Sequence, residues 1–126
     1  DNGIELMGYQ VESTASSKPF IDVTLYWRPE APVTWPWTVF RHVMVDGELV
    51  GQRDSQPADG KWPTTCWKPG EMVVDSQLIP LDVYDLEGAT LRVGLYDAQS
   101  GRRLPVKRDD QATANDAVEI PFRPDR

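Results

Sequence analysis

Four tryptophans in two proline-rich segments are the residues whose type and spacing best suit ligand binding. Trp35 and Trp37 lie in "RPEAPVTWPW", and Trp62 and Trp67 flank "PTTC" in "GKWPTTCWKPGEMVVD". Flat aromatic side chains on loops can stack on the apolar faces of sugar rings or anchor a protein partner. Alternatively, the second segment folds over an open end of a small β domain and buries its indoles as a lid. The sequence leaves both interpretations open.

The single histidine and the single cysteine do not indicate a catalytic site. No GxSxG motif or equivalent frames a serine, and strand alternation places His42 with Phe40 and Met44, so we predict a core-facing histidine with a satisfied ring hydrogen bond. Cys66 has no adjacent histidine that would generate a thiolate, and we predict an inert, partly buried thiol. One cysteine also excludes an intrachain disulfide and a cysteine-based zinc site.

The twenty acidic residues are predicted to form a solvated surface rather than a paired acid and base. Asp22 and Asp75 fall at outward strand positions, and Asp46 and Asp59 fall in turns. Asp54 and Asp59 offer oxygen ligands for calcium, but the DxDxDG spacing of a calcium loop is absent. We therefore expect no catalytic residues, no metal and no other cofactor, and we predict that the domain is not an enzyme.

The charge balance argues against a nucleic-acid partner. Twenty acidic residues against thirteen Lys and Arg give a formal net charge of −7, which repels phosphates. The basic stretch "GRRLPVKR" is interpreted as a charged hairpin edge that discourages aggregation between strands. No run of 18 apolar residues occurs, so we predict no transmembrane segment in this chain.

Apolar and polar residues alternate with a period of two in several stretches, which predicts half-buried strands. Residues 20–28 and 90–97 alternate cleanly, whereas residues 38–45 are apolar on both faces apart from Arg41 and His42. In residues 71–78 we predict that the apolar side chains point inward and the polar ones outward. The inward set is Met72, Val74 and Leu78, and the outward set is Asp75 and Gln77.

Turn signals divide these strands and indicate the fold class. Asp46-Gly47 suits a tight hairpin turn, Gly101 suits a second hairpin, and three prolines mark residues 29–36 as a loop. No window keeps a helical period. We therefore predict one domain over residues 1–126: an all-β, antiparallel β-sandwich of about eight strands, immunoglobulin-like or of jelly-roll type.

Several blocks, in order, resemble a known family. They are "LMGYQV", "VTLYWR", "TVFRHVMVDGELVGQRDSQP", "WPTTCWKPGEMVVD" and "LRVGLYDAQSGRRLP", which cover about residues 6–105. They are similar to the C-terminal soluble β-sandwich domain of multi-spanning bacterial membrane proteins related to dolichyl-phosphate-mannose-protein mannosyltransferases. Arg41 stands where the family pattern has an apolar residue, and Cys66 where it has a polar one, which weakens the case for a shared ligand site.

This resemblance implies a location and a function. Glycosyl transfer belongs to the membrane-embedded part of such proteins, so this chain is expected to be a fragment with a non-catalytic accessory function on the extracytoplasmic face of the cytoplasmic membrane. Its expected partners are a glycan, a protein, or the membrane domain of its own parent, contacted through the loop aromatics Trp35, Trp37, Trp62 and Trp67. The alternative is a purely structural immunoglobulin-like spacer or assembly module without a ligand.

Overall fold

The chain folds into two β-sheets. A computed structural model describes residues 4–14, 20–82, 86–104, 106–108, 111–112 and 117–121. Ten strands occur in these ranges: β1 Ile4–Thr14, β2 Phe20–Pro29, β3 Thr38–Val45, β4 Glu48–Gln52, β5 Val73–Pro80, β6 Ala89–Tyr96, β7 Arg103–Leu104, β8 Val106–Arg108, β9 Gln111–Ala112 and β10 Val118–Pro121. Two short 3₁₀ helices, Pro57–Gly60 and Thr64–Cys66, lie between β4 and β5. In these ranges no helix has the length and apolar character needed to cross a membrane.

The strand order is that of an immunoglobulin-type sandwich. The first sheet has the order β5-β2-β1-β8-β9, and the second has β10-β6-β3-β4 with β7 beside β6. In the immunoglobulin arrangement, β2 pairs with β5 in one sheet, and β6 lies between β3 and β10 in the other, as observed here. Neighbouring strands are antiparallel except β1 and β8, which run parallel. The predicted β-sandwich is confirmed, and this order favours the immunoglobulin type over the jelly roll.

The core lies between the inward faces of the two sheets. In β2 the alternation is as predicted, since every second side chain is buried: Ile21, Val23, Leu25 and Trp27. In β6 the inward residues Leu91, Val93 and Leu95 face them from the second sheet. Each such aliphatic side chain stabilises the fold by about 1.5–3 kcal/mol relative to exposure.

Strand β5 has the opposite orientation to the predicted one. Its buried side chains are Val73, Asp75, Gln77 and Ile79, and its outward apolar side chains, with Met72 just before it, are Val74 and Leu78. The register with β2 explains this, because Asp75 pairs with Leu25 and Ile79 with Ile21, and paired residues share a face of the sheet. The prediction of an inward Leu78 and an outward Asp75 was wrong.

Strand β3 also differs from the prediction. Arg41 points into the core between Val39 and Val43, and His42 lies half-buried on the outer face of the second sheet. The predicted core-facing histidine was therefore wrong. Phe40, also on the outer face, stays buried beneath other side chains, with the Arg103 guanidinium 4.6 Å from its ring centre.

The two sheets meet closely at the end of β5. Gly51 of β4 forms a β-bridge with Leu81, and the Asp82 N–H donates to the Val50 carbonyl over 2.8 Å. A Cβ atom added at Gly51 would lie 2.7 Å from the Pro80 carbonyl oxygen, which real side chains do not tolerate. Glycine at this position lets the two backbones approach.

The predicted tight turn between β3 and β4 is confirmed. Asp46 and Gly47 both have positive φ, as a two-residue hairpin turn requires.

Candidate functional site

Three connections meet at one end of the sandwich, which we call the loop end. They are the β2–β3 loop (residues 30–37), the β4–β5 connection (residues 53–72) and the β6–β7 turn (residues 97–102). The register brings them together, because β3 and β6 pair at Thr38 and Tyr96, and β2 and β5 pair at Trp27 and Val73. In immunoglobulin-type domains, loops at such an end are frequent binding surfaces.

Buried Thr64, in the second 3₁₀ helix, fastens the β2–β3 loop to the β4–β5 connection. Its hydroxyl donates to the Trp35 carbonyl over 2.5 Å and accepts from the Trp37 N–H over 2.9 Å. One side chain therefore satisfies two backbone groups of a loop that has no strand partner there. Sequence reasoning missed Thr64, since nothing local in "PTTC" indicates a contact about thirty residues away.

The structure separates the four candidate tryptophans. Trp37 and Trp67 are 7% and 3% exposed and belong to the core, and the Trp67 indole N–H donates to the Trp62 carbonyl over 3.0 Å. Trp62 is half-buried and packs against the core, whereas Trp35 is 45% exposed. The segment around Trp67 thus covers the end of the sandwich as a lid. Trp35 presents the most accessible indole of the four.

Asp97 lies beside the Trp35 side chain. Its carboxylate accepts the Gln99 backbone N–H over 3.1 Å and the Ser100 hydroxyl over 2.9 Å, and the Trp35 side chain is near enough to affect its pKa. These bonds, that from Gln99 first, lower the pKa of Asp97 below its ordinary value. The result is an exposed aromatic ring with an ionised carboxylate beside it.

A second polar cluster lies on the outer face of the second sheet. The Tyr96 hydroxyl donates to Asp54 Oδ2 over 3.0 Å, and His42 Nε2 lies 3.5 Å from Asp54 Oδ1. Burial lowers the pKa of His42, against the opposing attraction of Asp54, and burial also raises the pKa of Tyr96. Asp54 thereby ties the start of the β4–β5 connection to the sheet.

The cysteine and the two proposed calcium ligands do not form a site in the described part of the chain. Cys66 is exposed in the second 3₁₀ helix, so the prediction of a partly buried thiol was wrong. Of the two proposed calcium ligands, Asp54 binds Tyr96, and the side chain of Asp59 lies outside the described residues. In the described part of the chain, no three His, Cys, Asp or Glu side chains are grouped so as to hold a metal ion.

A fully buried ion pair crosses the core, and sequence reasoning missed it. Arg41 of β3 and Asp75 of β5 belong to opposite sheets, and Arg41 Nη2 donates to Asp75 Oδ2 with both side chains 0% exposed. Burial lowers the pKa of Arg41, and the Asp75 carboxylate opposes that shift. Buried charges are tolerated where they are paired and hydrogen-bonded.

The other atoms of this pair bind the β4–β5 connection. Arg41 Nη1 donates to the Arg53 carbonyl over 3.1 Å and to the Ser55 hydroxyl over 3.3 Å. Asp75 Oδ1 accepts the Ala58 N–H over 2.9 Å and the Gln77 side-chain amide over 3.3 Å. The pair therefore joins three parts of the molecule: both sheets and the connection between β4 and β5.

No family model matches the chain, and no curated protein sequence matches it at a significant level. The kinship with mannosyltransferase-related membrane proteins stays a prediction from the sequence blocks.

Proposed function

We propose that the chain is a non-catalytic accessory domain on the extracytoplasmic face of a larger glycosyltransferase-like membrane protein, and that it binds glycan at the loop end. The parent protein and the location are proposed from the resemblance of the sequence blocks. The binding function is proposed from one observation: Trp35 is half-exposed and the Asp97 carboxylate lies beside its side chain.

This arrangement suits a sugar ring. The apolar C–H face of a pyranose stacks on an indole, and sugar hydroxyls donate to a carboxylate beside it. The Trp35 backbone is held at its carbonyl by Thr64, and Asp97 lies beside the Trp35 side chain. Because the backbone that carries the ring is already ordered, binding loses less conformational entropy. Gln99 and Ser100 are exposed next to Asp97 and supply further hydrogen-bonding groups.

The structural spacer is the second candidate, and a different observation favours it. Trp27, Trp37 and Trp67 are all buried, so most of the tryptophan surface of the chain stabilises the fold. Under this alternative the exposed face of Trp35 has no partner. The two functions predict different responses to added saccharide: a glycan-binding domain binds it at the loop end, and a spacer does not.

The test is an NMR titration of the ¹⁵N-labelled domain with short manno- and gluco-oligosaccharides. Glycan binding predicts amide shifts confined to residues 34–37 and 97–101, and at least a tenfold weaker affinity in Trp35→Ala, since a stacked ring is worth about 1.4 kcal/mol or more. Leu78→Ala is the matched control, because Leu78 is about equally exposed but lies near the far end of β5, away from the loop end. The absence of shifts with every saccharide, or equal binding by Trp35→Ala, would contradict glycan binding and favour the spacer.

A further inference from the structure

We infer that the buried Arg41–Asp75 pair positions the loop end: it orders the β4–β5 connection, and through it the surface that carries Trp35. The importance of this surface rests on the proposed function, but the ordering is a property of the chain alone. Two charges that served only to join the sheets would need one mutual bond. Here each partner also binds the connection, Arg41 at residues 53 and 55 and Asp75 at residue 58.

The bond from Ala58 to Asp75 holds an unusual backbone conformation. Ala58 has φ of 55°, in the left-handed region that residues with a Cβ rarely adopt. It lies inside the first 3₁₀ helix, which has no side-chain cap at its N-terminus. Its N–H donates to Asp75 Oδ1, a buried acceptor. The carboxylate therefore stabilises a turn that its own sequence does not favour.

Hydrogen bonds joined by short stretches of backbone lead from this turn to Trp35. The Trp62 N–H donates to the Pro57 carbonyl over 3.3 Å, and the Cys66 N–H donates to the Pro63 carbonyl over 2.8 Å. Between these bonds lies Thr64, whose hydroxyl holds the carbonyl of Trp35. Residues 57–66 are thus joined to the pair at one end and to the β2–β3 loop at the other.

A second route leads from Arg41 to Asp97. Arg41 holds the carbonyl of Arg53 and the hydroxyl of Ser55, which fixes Asp54 between them. Asp54 accepts the hydroxyl of Tyr96, the residue before Asp97. Thr64, which holds the Trp35 backbone, and Asp97, which lies beside its ring, are therefore both connected to the ion pair.

A double apolar replacement separates positioning from simple stabilisation. Arg41→Met with Asp75→Leu removes both charges and keeps similar volumes, a change that often preserves or raises the stability of a buried pair. It also removes every side-chain bond from the pair to residues 53, 55 and 58. If the pair only holds the sheets together, the double variant should keep both the fold and the order of the loop end as they are in the wild type.

The measurement is amide hydrogen exchange, followed residue by residue in the wild type and in the double variant. We expect about tenfold lower protection at Ala58, whose N–H loses its bond to Asp75. Protection at Ser55 is also expected to fall, because its hydroxyl loses Arg41 while its N–H keeps its bond to the Val39 carbonyl, and protection in β2 and β6 is expected to stay unchanged. Acrylamide quenching of Trp35 fluorescence is also measured, as the difference between proteins with and without Trp35→Phe. This quenching is expected to be stronger in the double variant than in the wild type. Val43→Ala with Val73→Ala is the control, because it disturbs the same strands without removing a hydrogen bond to residues 53–60. Unchanged protection at Ser55 and Ala58 in a folded double variant would overturn the inference.

Arg41→Lys tests the inference should the double variant fail to fold. Lysine keeps a positive charge for Asp75 but lacks the planar fork that reaches Arg53 and Ser55 at the same time. We expect lower protection at residues 53–55 and retained protection at Ala58. Equal protection across residues 53–58 in Arg41→Lys and the wild type would also overturn it. These readouts need no ligand, so a failed saccharide titration would contradict the proposed function without affecting them.

Discussion

Strands β2 and β5 are hydrogen-bonded neighbours in one sheet, yet they differ in which kinds of side chain point into the core. In β2 the inward side chains are all apolar, whereas in β5 they include Asp75 and Gln77. The outward face of β5 carries Val74 and Leu78, each nearly half-exposed. Hydrophobic burial alone would orient β2 as observed and would turn β5 over.

The difference shows that β5 is oriented by a partner rather than by its own pattern. Turning β5 over would expose Val73 and Ile79, and it would leave Arg41 in the core without its counter-charge. An unpaired buried charge is strongly unfavourable, and a one-residue slip reverses every side chain of a strand. The Arg41–Asp75 pair therefore specifies which face of β5 points inward.

The largest expected effect follows from breaking that pair on one side. Asp75→Leu leaves Arg41 buried and unpaired, and Arg41→Met does the same to Asp75. We expect each to lower the free energy of unfolding by about 3–5 kcal/mol, measured by urea denaturation. Asp82→Leu, at an exposed aspartate just after β5, is the control and is expected to change stability by less than about 0.5 kcal/mol.

Adjacent residues of β5 give the sharpest contrast between its faces. Ile79 is fully buried and Leu78 is 49% exposed. Ile79→Ala is expected to destabilise the domain by about 2–5 kcal/mol, and Leu78→Ala by less than about 1 kcal/mol, both by urea denaturation. Equal losses, or a larger loss at Leu78, would show that β5 faces the other way.

The close approach at the end of β5 predicts a smaller effect. In Gly51→Ala the added Cβ meets the Pro80 carbonyl and the Leu81 side chain, so one backbone has to shift. We expect a loss of about 1–3 kcal/mol in thermal or urea unfolding. Gly47→Asn is a suitable comparison: it tests a positive-φ glycine with open space around it, where asparagine is tolerated. A Gly51→Ala protein as stable as the wild type would argue against this contact between the sheets.

The smallest expected effect is a pH dependence from His42. Because burial lowers its pKa below the ordinary 6.5, the unfolded chain binds the proton more readily than the folded one. This contribution to stability is complete above pH 6.5 and is lost as the pH falls toward the lower pKa of the folded protein. Asp54 favours the charged ring, whereas Arg92 and Arg103 disfavour it.

The corresponding experiment compares urea stability at pH 7 and pH 5 for the wild type and His42→Gln. We expect the wild type to lose more stability over this interval than the variant. Titration of the carboxylates is common to both proteins and cancels in the difference. An equal loss in the two proteins would mean that His42 does not titrate in this interval.

Much of the fold could be predicted because its signals are local. The alternation of β2 and β6 and the Asp46-Gly47 turn depend on neighbouring residues, and they indicated the sandwich correctly. The orientation of β5 could not be predicted in this way. Both of its faces carry apolar residues, and the group that decides between them, Arg41, lies 34 positions earlier in another sheet.

The candidate site was predictable only in part, for the same reason. Trp35 was among the four predicted tryptophans, but its exposure depends on Thr64 and on Asp97, which are distant in sequence. Trp37 and Trp67 have the same residue type and similar proline-rich surroundings, and yet they are buried. Composition identified the segments, and tertiary contacts determined which ring faces solvent.

The most direct test of the account is a double-mutant cycle on Arg41→Met and Asp75→Leu, measured by urea denaturation. If the pair orients β5, the double variant should lie within about 1 kcal/mol of the wild type while each single variant is far less stable. With losses of about 3–5 kcal/mol in each single variant, the coupling energy should then be about 5 kcal/mol or more. A coupling energy near zero, with the two single losses adding in the double variant, would contradict the assignment of the pair as the determinant of β5.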